Sequence, residues 1–175
     1  MKLLKKAIHP SIDDISKLSI LERTSARAIV MNGEEILLLY TQRYNDYSLP
    51  GGGVDPNESI EEGLLRELSE ETGAQNVKII GELGLYEEYR PWYKPDPDIV
   101  HMLSYCYYCS ADRELGETKY EDYERKNGMK PLWINIHKAI EHNKKTLKEG
   151  EVSGLSLERE IFLLEEVART IKKES

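Results

Sequence analysis

The stretch from Leu49 to Ala74 admits few conformations. Leu49-Pro50-Gly51-Gly52-Gly53 cannot continue a regular element, because proline lacks a donor and three glycines free the backbone to turn and to approach a bound group closely. Helix signals follow at once: Ser59 and Glu62 form a capping box, Ile60, Leu64, Leu65 and Leu68 supply an apolar side, and Gly73 is placed to end the helix. On that helix Glu67, Glu70 and Glu71 fall at i, i+3 and i+4, so at about 100° per residue they share one face. Three carboxylates on one face repel one another. Their repulsion calls for a compensating charge, and a hard divalent cation such as Mg²⁺ suits clustered oxygens. Arg66, beside Glu67 and one turn before Glu70, is placed to hold a carboxylate with its planar donors. Most Glu-rich helices are solvated faces with internal ion pairs; the glycine turn ahead of this one favours a site.

Read as a unit, residues 52–74 resemble the signature of the Nudix hydrolases, GX5EX7REUXEEXGU with U aliphatic. Gly52, Glu58, Arg66, Glu67, Glu70, Glu71 and Gly73 stand at the fixed positions, Leu68 at the first U and the smaller Ala74 at the last. The resemblance is strongest here and in the lead-in from Tyr47, and thins outside residues 24–110. It implies the Nudix fold, a mixed β-sheet sandwiched between α-helices. It also implies a Mg²⁺-dependent hydrolase, with Mn²⁺ as a substitute ion, that cleaves a diphosphate bond by metal-activated water. The implied substrate is a small molecule, a nucleoside diphosphate linked to another moiety, such as ADP-ribose, another nucleotide sugar or a (d)NTP. Pro91 lies near the place where ADP-ribose-cleaving members commonly carry a proline.

By the same resemblance Glu70 and Glu71 bind metal, Glu67 binds metal or serves as general base, the Gly52 carbonyl completes the shell, Glu58 supports the site and Arg66 orients Glu67. Family members differ in whether the base comes from the box or from a distant loop, so Glu149, Glu151, Glu114 and Glu117 are rival bases. Arg27, on a strand, is a candidate for substrate phosphates, against an ordinary strand-end salt bridge. Tyr89 and Trp92 are candidates for stacking on a base, against closing a core or a dimer interface. Two other readings stand beside the hydrolase. One is an isoprenoid diphosphate isomerase, for which no convincing cysteine and glutamate pair is found; the other is a Nudix-like sensor that binds a nucleotide without hydrolysing it, against which the full set of glutamates counts.

At 175 residues, with no repeat or low-complexity stretch, residues 1–175 fit one domain, with a core over about 24–143 and a C-terminal helix over 156–173. A net charge of −8 argues against duplex nucleic acid, which is bound by neutralising its phosphates, and leaves an anionic substrate in need of metal bridges. Residues 1–10 are basic but have no apolar run long enough for a signal peptide, and no segment is long enough to span a bilayer. The expectation is a cytoplasmic protein with no membrane partner, and the aromatic loop near Trp92 is compatible with a homodimer as well as with a ligand lid. Cys106 and Cys109, three apart on a strand, face opposite sides and read as ordinary strand residues. His9, His101, His137 and His142 form no spaced metal motif, and Arg159 with Glu160 reads equally as a solvated charge pair.

Residues 11–22 predict a short helix or an ordered lead-in. Thr24–Met31 and Glu35–Gln42 predict a hairpin about Asn32-Gly33, its second arm apolar on both faces as in a strand covered on both sides. Val77–Tyr89 and Ile99–Ser110 predict two strands joined by a proline-rich loop. Residues 112–129 are charged with little period, Pro131–Asn135 predict a short strand, and Ile136–Asn143 a helix capped by Asn135. Residues 144–154 read as a mobile loop, and Leu157, Ile161, Leu164, Ala168 and Ile171 trace a helical stripe. This mixed order fits α/β or α+β.

Overall fold

The turn at Asn32-Gly33, where Gly33 takes φ +62°, joins strands β2 (Ile20–Asn32) and β3 (Glu35–Thr41) and so links the two halves of one mixed sheet. In this computed structural model, which describes residues 1–150 and 154–174, β2 runs parallel to β6 (Ile99–Ser110) from Ile20 opposite Ile99 to Val30 opposite Cys109. β6 pairs antiparallel with β5 (Lys78–Pro91), and β5 runs parallel to the edge strand β1 (Leu3–Ile8). In the other half β3 pairs antiparallel with β4 (Asp46–Ser48) and with β7 (Met129–Asn135). Helices α1 (Ile60–Thr72), α2 (Asp122–Asn127), α3 (Ile136–Glu149) and α4 (Leu157–Glu174) complete the chain.

Strand alternation sorts the apolar residues into two cores. Ala26, Ala28 and Val30 of β2 and Leu37 of β3 pack with Leu64 and Leu68 of α1 on one face. Ile29, Ile36, Leu38 and Cys106 pack on the other with Ile136 and Ile140 of α3 and Leu163, Leu164 and Val167 of α4. The result is the expected mixed sheet between helices. The hairpin, the doubly covered β3, β5, β6 and the capped helices α1 and α3 all form where the sequence places them. Cys106 and Cys109 lie buried and free in opposite cores, where burial pushes the thiols up to about 12 and about 11.

Four segments differ from the expectation. β1 is a strand although it carries Lys5 and Lys6, a composition that suits an exposed sheet edge. The lead-in holds the expected short helix, a 3-10 turn at Ile15–Lys17, but gives way to β2 already at Ile20. The charged segment contains α2, ended by Gly128 at φ +70°. α3 continues to Glu149 before Gly150 ends it, so most of the expected mobile loop is helical, and the remainder at 151–153 lies outside the described residues. Among the described residues no helix is long and apolar enough to cross a membrane.

Leu164 is wholly buried on α4, whereas Ile80 is 67% exposed. Leu164→Ala is expected to cost about 2–5 kcal/mol in urea unfolding and Ile80→Ala less than about 0.5 kcal/mol. Equal losses would contradict the placement of α4 in the core.

Candidate active site

The glycine loop is laid along β2 almost as another strand. Ala28 N–H donates to Pro50 O at 2.8 Å, Ala26 N–H to Gly52 O at 3.0 Å, and Val54 N–H to Thr24 O at 3.0 Å. Gly51 takes φ +134°, and a Cβ there would lie 2.0 Å from the Ala26 carbonyl oxygen, so only glycine fits. The remaining polar groups of the loop are tied by buried side chains. Gly51 N–H donates to Glu71 Oε2 at 2.7 Å, Arg27 Nη1 donates to Gly51 O at 2.7 Å, and Leu49 N–H donates to Glu160 Oε2 at 2.9 Å. Glu160 in turn accepts from Arg159 Nη2 at 2.9 Å, and Arg159 Nη1 donates to Glu88 Oε1 at 2.5 Å. Arg159 and Glu160 are 3% and 1% exposed, which corrects the solvated reading: they are a buried brace between α4, β5 and the loop. Their surface-like i, i+1 charge pattern hid this.

Ser59 caps α1, Gly73 closes it at φ +68°, and a Cβ at Gly73 would meet the Gly116 carbonyl oxygen at 2.2 Å, where residues 112–121 cross the helix end. Ala74 is 5% exposed in the α1 core, so the small last residue of the signature is a packing matter. The carboxylates of α1 are compensated first by Arg66. Its guanidinium donates to Glu58 Oε1 at 2.6 Å, Glu67 Oε1 at 2.8 Å, Glu70 Oε2 at 3.4 Å and Gly53 O at 3.2 Å. Arg66 holds Glu58 down to about 2. Burial raises Glu67 despite Arg66, and pushes Glu71 up to about 8 against the pull of Gly51 N–H and Arg27.

Arg66 thus offsets part of the repulsion, and among the described residues no three acidic, imidazole or thiol groups form a ligand cluster. The donor chemistry nevertheless fits a hard cation. Every donor is oxygen, the Glu67 carboxylate lies so close to Gly52 that a Cβ would meet its oxygens at 2.9 Å, and the Gly52 carbonyl keeps a second lone pair beside its bond to Ala26.

Beside these carboxylates stands one the sequence reading passed over. Glu124 of α2 is 4% exposed, accepts from Glu121 N–H at 2.7 Å, and lies near enough to Glu67 and Glu71 to raise both. The spacing Glu121-x-x-Glu124 before Gly128 is a capping signal that would have placed a helix here. Next to this cluster lies a cleft of about 930 Å³, whose lining does not include Glu124 itself. Glu67, Glu71, Arg66, Arg27, Gly52 and Trp92 line it, as do Arg23 and Arg90, which no sequence motif marked. Glu58 and Glu70 stand behind Arg66 and do not line it.

Tyr89 faces away from the cleft. It follows Glu88 and precedes Arg90 on β5, and alternation turns it to the other face, where it stacks on His101 with centroids 4.1 Å apart. Neither Glu114 nor Glu117 lines the cleft, and Glu149 pairs with Lys145 at 3.8 Å on the end of α3; Glu151 lies outside the described residues. His101, between Glu22 and Glu87, and His142, bonded to the Asn45 carbonyl, are structural.

The model of the NUDIX domain matches residues 21–155 of this chain. The chain belongs to the NUDIX family. Among curated proteins it is 43% identical over 63 residues to a putative 8-oxo-dGTP diphosphatase of Bacillus subtilis, covering 35% of this chain and 42% of that protein. It is 38% identical over 61 residues to an RNA pyrophosphohydrolase of Campylobacter jejuni, covering 35% and 37%. The chain thus spans less than half the length of these curated relatives. Among solved structures, the mutator MutT protein from Bacillus halodurans matches with a TM-score of 0.48 and 23% identity over 68% of this chain and 72% of that one. A MutT NUDIX hydrolase from Burkholderia pseudomallei matches with a TM-score of 0.47 and 20% identity over 67% and 85%.

Burial sets a pH dependence. Glu71 keeps its proton to about pH 8 in the folded chain but titrates near 4.5 when unfolded, so the folded state binds more protons and stability falls as pH rises between those values. Asp46, pushed up to about 6 by burial and Glu160, acts with the same sign below that pH. With a chelator present, the Tm is expected to decline from about pH 5 to about pH 8, and Glu71→Gln to remove most of the slope above about pH 6. A Tm that rises over that interval would contradict the burial of Glu71.

Proposed function

We propose that this NUDIX-family chain is a Mg²⁺-dependent pyrophosphohydrolase acting on a nucleoside diphosphate linked to another moiety. The observation that carries this reading is the convergence of Glu67 and Glu71 in a cleft that also holds Arg23, Arg27 and Arg90, with Glu124 close by. Carboxylates for a cation and guanidinium groups for phosphates then occupy one cavity. The names of the relatives, an 8-oxo-dGTP diphosphatase and an RNA pyrophosphohydrolase, support phosphoanhydride cleavage.

Glu67, Glu71 and the free lone pair of the Gly52 carbonyl would hold Mg²⁺; Glu70, which accepts from Arg66 and does not line the cleft, would join them by turning from Arg66, and Glu58 would support the set through Arg66. When bound, the ion supplies charge neutralisation and a lowered pKa for water. Arg66 fixes the direction of Glu67 through Oε1, and Glu67 lines the cleft. Burial moves Glu67 toward neutral pH, the direction a general base needs, so Glu67 is assigned that role. Glu124 is the second candidate, because it is buried close to Glu67 and Glu71, although like Glu114 and Glu149 it does not line the cleft. Arg27, whose buried Nε has no hydrogen-bond partner, and Arg90 neutralise phosphate oxygens. Mn²⁺ would substitute, having the same taste for oxygen. The case for ADP-ribose in particular rested on Pro91, which is the last residue of β5, opposite Ile99.

The test is product chromatography on a panel of nucleoside di- and triphosphates, nucleotide sugars and 5′-triphosphorylated RNA with Mg²⁺. The parent is expected to turn over at least one, and chelation to abolish the reaction. Glu67→Gln is expected to lower kcat by about 10²–10⁴-fold, with Glu114→Gln and Glu149→Gln within about two-fold. Tight nucleotide binding with no turnover in the parent would replace this reading with that of a sensor.

A further inference from the structure

The segment between β6 and α2 is charged and without period, yet three main-chain bonds lay it across the end of α1. Asp112 N–H donates to Gln75 O at 3.0 Å, Gly116 N–H to Gly73 O at 2.7 Å and Lys119 N–H to Glu70 O at 2.6 Å. The last of these satisfies a carbonyl that a helix C-terminus leaves without an internal partner. It also sets Tyr120 beside the turn of α1 that carries Glu70 and Glu71, and Arg125 Nη2 of α2 donates to the Tyr120 carbonyl at 2.9 Å. The backbone of Tyr120 is thus held from both helices.

The side chain so placed carries a polar group with nothing to bond. The Tyr120 hydroxyl oxygen is buried and makes no hydrogen bond among the described residues; the Thr118 hydroxyl lies close but out of hydrogen-bonding geometry. Burial raises the pKa of the phenol, Thr118 opposes the rise, and the charges of Glu71 and Glu124 add to it, which places both carboxylates near the hydroxyl. A buried donor is costly to leave without an acceptor, so one built into the back of an acidic centre points to a contact made in another state of that centre. Of the two carboxylates Glu124 is already served, Oε2 accepting Glu121 N–H at 2.7 Å and Oε1 accepting Tyr123 Oη at 3.3 Å. Glu71 is 5% exposed and makes one hydrogen bond among the described residues, from Gly51 N–H to Oε2 at 2.7 Å, while Arg66 gives its bonds to Glu58, Glu67 and Glu70.

We propose that Tyr120 is a positioning residue of the acidic centre: its hydroxyl donates to Glu71 when that side chain engages a divalent cation, and so fixes the direction in which the carboxylate is offered. The proposal deepens the hydrolase reading and rests on it for the cation at Glu71. Carboxylates that hold a metal are oriented by hydrogen bonds from the layer behind them, and Tyr120 stands in that layer, outside the lining of the cleft. It acts through Glu71 and touches neither cation nor substrate.

Tyr120→Phe tests this, removing the hydroxyl and keeping the ring. Mn²⁺ alone, titrated with the free ion followed by electron paramagnetic resonance, is expected to bind the variant about ten-fold more weakly than the parent. On the fastest-cleaved compound of the nucleotide panel, with Mg²⁺, kcat is expected to fall by about ten-fold while KM stays within about two-fold. In chelator the Tm is expected to equal or exceed that of the parent, because the metal-free protein loses no hydrogen bond with the hydroxyl. Thr118→Val is expected to leave Mn²⁺ affinity unchanged. Unchanged Mn²⁺ affinity in Tyr120→Phe, a lowered Tm in chelator, or an equal loss of affinity in Thr118→Val would overturn the proposal. A parent that binds Mn²⁺ but turns over no nucleotide sinks the hydrolase reading alone, and the Mn²⁺ affinities then decide the role of Tyr120; a parent that binds no Mn²⁺ overturns both.

Discussion

Leu49 to Gly53 are gripped from both faces of the sheet by two buried carboxylates, Glu71 from α1 and Glu160 from α4, each accepting a main-chain N–H of the loop. Neither carboxylate is cheap to bury. Glu160 is compensated by Arg159, itself shared with Glu88, and Glu71 by Gly51 N–H and the nearby Arg27. Removing Arg159 leaves Glu160 as an uncompensated charge, a loss of about 3–5 kcal/mol, whereas removing Glu71, which keeps its proton to about pH 8, orphans the Gly51 N–H, a loss of about 1–3 kcal/mol. The brace therefore matters about as much as a large buried side chain, and its direction fixes where the loop lies. It also explains why α4 matters to the site although it begins at Leu157, beyond the matched residues 21–155.

From that fixed loop the electrostatics of the cleft follow. Arg66 is shared by Glu58, Glu67 and Glu70, so its one positive charge offsets only part of the negative charge gathered there. Glu71 is balanced differently, by keeping its proton to about pH 8. A divalent cation entering here must displace that proton, which couples affinity to pH. Across the same cavity Arg23, Arg27 and Arg90, from β2 and β5, bring positive charge to the lining.

How far the sequence reaches can be seen in particular residues. Strand alternation, the Asn32-Gly33 turn, the Ser59 cap and the Gly73 stop are local signals, and each element they mark forms in place. Arg66 beside Glu67 was legible because a helix brings neighbours of that spacing together. Glu160 was not: its partner Leu49 lies 111 residues away, and nothing in an Arg-Glu pair on an amphipathic helix says which way it turns. Glu124 was hidden by the absence of a helical period in a short, capped segment, and Tyr89 was misassigned because β5 continues to Pro91, which sets its face. The arginines that line the cleft, Arg23, Arg27 and Arg90, come from β2 and β5 and have no counterpart in any single stretch of chain.

Native-state hydrogen exchange at the Leu49 and Gly51 amides tests the brace most directly. Both are predicted to exchange as slowly as Ala28 in the central strand, through global unfolding, and to become fast together in Glu160→Ala while Ala28 stays protected relative to the lowered stability. Exchange of Leu49 and Gly51 at the rate of an ordinary surface turn such as residues 42–45, with the rest of the sheet protected, would contradict the account.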